Sequence, residues 1–347
     1  MAAARADLPF AGARGGRGRR LPAGAAARPD PRRRRVQLRR RPGLAPGGSG
    51  DRPGPGLNGV RTLFHISDLH FGPPHLPRVS RGVLEHVERH RPDLVVLSGD
   101  LTQRAKPEQF RAARAFVDQI QVPVVVVPGN HDVPLWRVWE RVLDPYGCYR
   151  RHFSPELEPV YRDEEILIAG VNTAFGWTFK DGRITTRRLL ELAELFEQTP
   201  ESVFKVVVAH HHLIPPPNFG TQRVLGNAYE AIDLFSRAGV DLILSGHLHQ
   251  AYIGSSEEFY PQGRPPVVIL HSGTTTSNRG RGGERERNTC NWIRIDGESL
   301  VVSHLRWHRE LDRFAEQSRH WYPRQERVPY TLEGLKGGGV PPMPTTL

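Results

Sequence analysis

The 347-residue chain predicts an α/β (α+β) protein built as a four-layer αββα sandwich, two mixed β-sheets packed together and flanked by helices, rather than a barrel. Two observations carry this. Strand and helix patterns alternate up to about residue 250, after which only strand patterns remain. Five apolar, β-branched strand patterns also run directly into Asp, Asn or His. In α/β sheets, sites lie beyond the carboxyl ends of strands, so five such tips point to one place.

Residues 1–59 are mainly Arg, Ala, Gly and Pro, with almost no large apolar side chains. Such a stretch cannot offset its own ordering entropy, and a disordered extension is expected. It holds 14 Arg against three acids, Asp7, Asp30 and Asp51, which is the whole net charge of +11. The rest carries 34 basic residues (48 less 14) and 34 acidic ones (37 less 3). The folded part is therefore formally neutral, and its charge does not argue for a polyanion-binding surface. A non-native stretch upstream of the true start, a basic arm and a transit peptide all fit the extension. It receives no function.

From Val60 the pattern is strand, loop, helix, repeated. Strands are expected at 63–67, 94–98, 122–127, 166–171, 206–209 and 240–245, then at 250–254, 267–272, 290–295 and 299–307. A helix over 80–90 places Val83, Leu84 and Val87 on one face, with Ser80 as its cap. A second, over 107–120, starts at Pro107 and Glu108 and aligns Phe110, Ala113, Phe116, Val117 and Ile120. Further helices are expected at 135–143, 186–198 and 228–238. Trp136 and Trp139, on the first of these, are expected in packing. The domain is placed at 60–310, with 311–347 as a largely irregular tail. Cys148 and Cys290 are too few for a disulfide framework, and no run is long enough to span a membrane. The N-terminus lacks the apolar core of a signal peptide, so a cytoplasmic location is expected.

Five motifs sit at strand ends: Asp68-Leu69-His70, Gly99-Asp100, Gly129-Asn130-His131-Asp132, His210-His211-His212, and Gly246-His247-Leu248-His249. Each has an ordinary explanation alone, as a turn cap or a surface histidine. Their joint occurrence, each directly after an apolar strand, does not. Carboxylate, amide oxygen and imidazole together suit a divalent ion such as Mn, Fe, Zn or Co. No thiolate is offered, which disfavours a structural Cys-zinc site. A carboxylate whose oxygens face different ions holds them roughly 3.5–4 Å apart, the spacing of two-metal chemistry. Asp100, at the middle strand tip, is the candidate bridge.

This order of motifs resembles the calcineurin-like metallophosphoesterase superfamily, over about residues 60–305. The resemblance implies Asp68, His70, Asp100 and His249 around one divalent ion, and Asp100, Asn130, His210 and His247 around another. His210 is chosen among the three adjacent histidines, with His211 the alternative if the loop slips by one. His131, together with Asn130, is implied to face the substrate, His131 reaching the scissile phosphate or its leaving oxygen as the catalytic acid; Asp132 is expected to orient the His131 ring. Gln103 stands where protein Ser/Thr phosphatases have Asp and purple acid phosphatases have Tyr, which disfavours both. The runs Gly99-Asp100-Leu101-Thr102, Gly170 to Ala174 and Ser272-Gly273-Thr274 resemble the bacterial branch that includes cyclic-nucleotide phosphodiesterases.

The implied activity is hydrolysis of small phosphodiesters such as cyclic nucleotides, by a hydroxide shared between two divalent ions. A pyrophosphatase of a nucleotide-linked lipid precursor and a nuclease of the same superfamily are the alternatives. From another class, a non-catalytic RNA-binding or scaffold protein would use the basic arm. No membrane partner is expected, and no nucleic-acid partner for the folded domain; the oligomeric state is not legible. Of the arginines at 279, 281, 285 and 287, Arg279 or Arg281 is the candidate to clamp a substrate oxygen, against a plain solvated loop. Asn172 is a candidate pocket residue or a strand-end cap. Phe175 and Trp177 are core or loop packing, or else stack on a base or lipid.

Overall fold

In the computed structural model, residues 59–176, 182–216, 223–260 and 265–324 are described. The apolar runs form strands buried on both faces. β1 (Arg61–Ile66), β2 (Leu94–Leu97) and β3 (Val124–Val126) are parallel neighbours. β10 (Thr289–Ile295), β11 (Ser299–His308) and β12 (Arg313–Pro323) extend this sheet antiparallel, in the order β12-β11-β10-β1-β2-β3. The second sheet runs β4-β5-β6-β7-β9-β8. Its parallel centre is β5 (Ile166–Val171), β6 (Phe204–Ala209), β7 (Leu242–Ser245) and β9 (Val268–His271). Short antiparallel edges, β4 (Val160–Arg162) and β8 (Tyr252–Ser255), close it.

Period-two alternation decides the layering. Leu63, Leu94, Val96, Ile166, Ile168, Val206, Val208, Leu242 and Leu244 form the core between the sheets. Their strand neighbours Phe64, Val95 and Leu97 face out onto α1 (Pro77–His90) and α2 (Pro107–Val117). On the other side, Leu167, Val207 and Ile243 face α5 (Thr186–Glu197) and α6 (Ala228–Arg237). The αββα sandwich is thus present in four layers. Three short helices complete it: α3 (Val138–Leu143), α4 (Gly147–His152) and α7 (Ser256–Phe259).

Three expectations change. α1 starts three residues before Ser80, because Pro77 occupies the first helical position, where its fixed φ suits the helix and its missing N–H costs nothing. Ser80 instead contacts His75 Nε2, at 3.1 Å. The domain does not end at residue 310: β12 pairs along the whole of β11, and Phe314 stacks edge-on against Trp307. As an edge strand with one wet face, β12 is polar enough to read as tail; residues 325–347 lie outside the described residues, as do 1–58. Lastly, Trp136 and Trp139 are not packed but 78 % and 79 % exposed. α3 buries Arg141 in their stead, whose guanidinium donates to the carbonyls of Gly176 and Pro134.

Candidate metal centre

The five strand-end motifs meet at the carboxyl ends of the parallel strands, where main-chain bonds tie adjacent tips together: Asp68 N–H donates to Gly99 O, and His70 N–H to Asp100 O. Among the described residues nine non-glycine residues have positive φ, and five of them are Asp68, His70, Asp100, His247 and His249. Left-handed backbone is tolerated by Asp and His better than by branched residues, and it persists only where surroundings enforce it. Strain is thus concentrated at one place, where it turns each side chain sharply off its strand. Gly129 allows the approach, since a Cβ there would collide with the Asp100 carboxylate.

Two groups of donors result. In the first, one ligand atom each from Asp68, His70, Asp100 and His249 lies within 4.8 Å of every other, all four residues being buried. Asp68 Oδ2 accepts from Ser67 Oγ at 2.6 Å and from His247 N–H at 3.0 Å. That leaves Asp68 Oδ1 with no hydrogen-bond partner, 3.3 Å from His249 Nε2 and 3.6 Å from His70 Nε2. Asp100 Oδ2 is likewise unpartnered, 3.6 Å from His70 Nε2. His249 Nδ1 donates to Arg279 O at 2.9 Å, so its Nε2 lone pair points inward. Two orphaned carboxylate oxygens facing two imidazole nitrogens are what a divalent cation satisfies, and this donor set fits one.

In the second group, Asn130 Oδ1 lies 3.0 Å from His210 Nε2 and 2.9 Å from His247 Nδ1. Asp100 Oδ1 is 3.3 Å from His210 Nε2 and accepts His131 N–H at 2.9 Å. His210 Nδ1 is bound by Ser98 O at 2.8 Å, which orients its ring. Asp100 therefore presents one oxygen to each group.

The charges agree with the geometry. Burial opposes ionisation of Asp68, but His249 and His70 outweigh it and hold its carboxyl down to about 2. Burial also opposes a charged His210, yet Asp100 lifts it to about 9. At His249 and His247 burial prevails instead, lowering the first to about 4 and holding the second well below its ordinary value.

His210, not His211, reaches the second group: His211 Nδ1 bonds Thr173 Oγ1 at 2.8 Å. His131 contributes to neither. Its ring meets His70 edge-on, with centroids 4.8 Å apart, and its Nδ1 bonds Gln103 O at 2.9 Å. The expectation that Asp132 orients that ring is corrected here. Asp132 instead accepts from the backbone N–H groups of Leu101, Thr102 and Gly129 and from the Thr102 hydroxyl. It joins the two loops; burial, then Asp100, push its carboxyl up to about 6.

Arg279 Nη1 donates to Gln103 Oε1 at 2.8 Å and lies 3.4 Å from His131 Nε2. The Arg281 side chain is exposed, and only its backbone engages, donating to His249 O at 3.2 Å. Asn172 is no pocket residue: its Oδ1 accepts from Tyr146 Oη at 2.9 Å and Ala174 N–H at 3.1 Å, the strand-end cap. Phe175 is half-buried, and Trp177 lies outside the described residues.

Sequence reasoning missed the supports. Ser67 bonds the Asp68 carboxylate, Thr102 bonds the Asp132 carboxylate, and Thr274, Thr275 and Thr276 bond Asp68 O, Ser67 N–H and Leu69 O. A run of hydroxyls between a strand and an Arg-rich loop was the available signal.

Comparison with known proteins bears on the family and the fold. The model of the calcineurin-like phosphoesterase family matches residues 61–251, more than half of the chain. A probable cyclic nucleotide phosphodiesterase of Synechococcus sp. is 28% identical over 207 residues, covering 55% of this chain and 74% of the relative. A probable glycerophosphodiester phosphodiesterase of Arcobacter nitrofigilis is 28% identical over 167 residues, covering 46% of this chain and 58% of that protein. In fold, the chain resembles a purple acid phosphatase from yellow lupin, with a TM-score of 0.60 at 12% identity, over 85% of this chain and 58% of the other.

Proposed function

The chain belongs to the calcineurin-like phosphoesterase family, and from that premise we propose that it is a dinuclear-metal phosphodiesterase acting on small phosphodiesters, cyclic nucleotides foremost. One observation carries the reading: Asp100 turns its two oxygens to two different donor groups, one oxygen lacking any partner. Asp68, His70, Asp100 and His249 would hold one ion, and Asp100, Asn130, His210 and His247 the other. A bound pair would lower the pKa of a shared water and take up charge on the phosphoryl oxygens.

The chain's own residues do the rest. Ser67 and the His247 N–H fix which Asp68 oxygen faces inward. Ser98 and Arg279 carbonyls fix the tautomers of His210 and His249. Asp132 ties the loop of Asp100 to that of His131. His131 stands beside both groups with Nε2 free of any ligand duty, and is assigned to the scissile phosphate or its leaving oxygen. The substrate is a small phosphoester, and the cytoplasm is the proposed location; no helix among the described residues is long and apolar enough to cross a membrane.

The test is a metal-reconstituted screen with Mn, Fe, Zn and Co. It compares bis-p-nitrophenyl phosphate, p-nitrophenyl phosphate, 2′,3′- and 3′,5′-cyclic nucleotides, glycerophosphodiesters and single-stranded DNA. Cyclic nucleotides are expected to lead. His131→Ala is expected to keep its metal content and lose about 10²-fold in turnover. Equal metal loss in His131→Ala and in a ligand variant sinks the division of roles.

A further inference from the structure

Three sheltered arginines in this fold are answered by carboxylates, Arg61 by Asp163 at 2.8 Å, Arg188 by Glu158 at 3.4 Å and Arg324 by Asp241 at 3.2 Å, and buried Arg141 donates to the carbonyls of Gly176 and Pro134. Arg279 is half-buried too, yet its side-chain partners among the described residues are neutral, Gln103 Oε1 and His131 Nε2. Its main chain is held firmly. The carbonyl accepts from His249 Nδ1, Asn278 N–H donates to Pro74 O, and Arg281 N–H to His249 O. Beyond it, Glu284 Oε2 pins the loop by accepting from Ala251 N–H at 2.9 Å and Thr289 Oγ1 at 3.2 Å. Gln103 is fixed in turn, its N–H donating to Phe71 O at 3.0 Å.

A half-buried guanidinium that has no carboxylate within ion-pair distance is costly, and beside a phosphoester site it is placed to receive an anion. The carboxylates that face Arg279 are those of Asp68 and Asp100, whose charge the proposed ions would take up. The amide of Gln103 supplies geometry without neutralising the cation, which an acid at that position would do.

We propose that Gln103 and Arg279 form a specificity element: Gln103 is a positioning residue that holds the guanidinium beside His131, and Arg279 takes a second anionic group on the leaving-group side of a phosphodiester. This rests on the phosphodiesterase reading, because the leaving-group side is defined by His131. Among acyclic phosphodiesters, those whose leaving alcohol carries a carboxylate or phosphate are then favoured, with cyclic nucleotides engaging the site without this contact.

Calorimetry on the metal-reconstituted full chain tests this with two probes, propylphosphonate and 3-phosphonopropionate, which differ by one distal carboxylate. The wild type is expected to prefer 3-phosphonopropionate by about tenfold, the size of one charge-assisted contact. Arg279→Ala is expected to abolish the preference with metal content unchanged, and Arg279→Lys to keep part of it. Gln103→Glu separates charge from shape: it retains the bond to Arg279 but cancels the cation, so it is expected to lose the preference as fully as Arg279→Ala. Gln103→Ala frees the guanidinium without discharging it and is expected to lose less. No preference in the wild type, or an undiminished one in Arg279→Ala or Gln103→Glu, overturns the proposal. Bis-p-nitrophenyl phosphate, without a second anionic group, separates the two failures. Hydrolysis of it without probe preference removes the specificity element alone, and probe preference without hydrolysis of any ester removes the phosphodiesterase reading alone.

Discussion

The two donor groups share Asp100 but differ in what they lack. The first is built from two carboxylates and two imidazoles, and two of its oxygens have no partner at all. The second has one carboxylate oxygen, an amide and two imidazoles, and its members already contact one another through Asn130 Oδ1. Unmet carboxylate oxygens in a buried setting are expensive until a cation arrives, whereas an internally bonded set gives up contacts to receive one. On the proposed dinuclear reading, the first group would retain its ion and the second would exchange it. A bridging carboxylate couples them.

Asp100→Ala breaks both halves at once and carries the largest expected effect. Metal content by atomic emission should fall to background and hydrolysis by on the order of 10³-fold or more. His247→Ala touches the second group alone. It should retain about half the wild-type metal and still lose most activity; full metal loss there would erase the distinction between the groups.

Acidification separates loss of ions from loss of fold. Burial depresses His65 to about 3 and His86 and His304 to about 4, so the folded state binds fewer protons than the unfolded one between those values and about 6.5. Their contribution is present above pH 6.5 and is lost as pH falls through the folded values. The Tm of chelator-treated protein should drop by about 5 °C or more from pH 6.5 to 4. A flat profile would mean that these rings are not buried neutral. The smallest effect belongs to Arg281→Ala: with its side chain in solvent, KM for bis-p-nitrophenyl phosphate should stay within about twofold. A large rise would restore it to the site.

Legibility followed burial. Strands with both faces covered, such as 206–209 and 242–245, announce themselves as apolar runs, and their tips carried the candidate ligands into view. β12 did not, because an edge strand owes its place to a ladder with β11 rather than to its own side chains. Trp136, just before α3, and Trp139, on it, misled for the opposite reason: large apolar side chains are usually covered, and here Arg141 takes the inward position by satisfying two carbonyls. Asp132 misled because adjacency to His131 suggested a contact that the short helical turn Asn130–Asp132 directs elsewhere.

Local chemistry and periodicity, which need only neighbours in the chain, determined the four layers, the family and the set of ligand types. Tertiary structure alone decided which oxygen of Asp68 and Asp100 faces inward and that Arg279 leans on Gln103, and it closed the choice of His210 over His211. Those outcomes depend on hydrogen bonds between residues distant in the chain, such as His131 to Asp100, His210 to Ser98 and Arg279 to Gln103. No pattern along the chain encodes them.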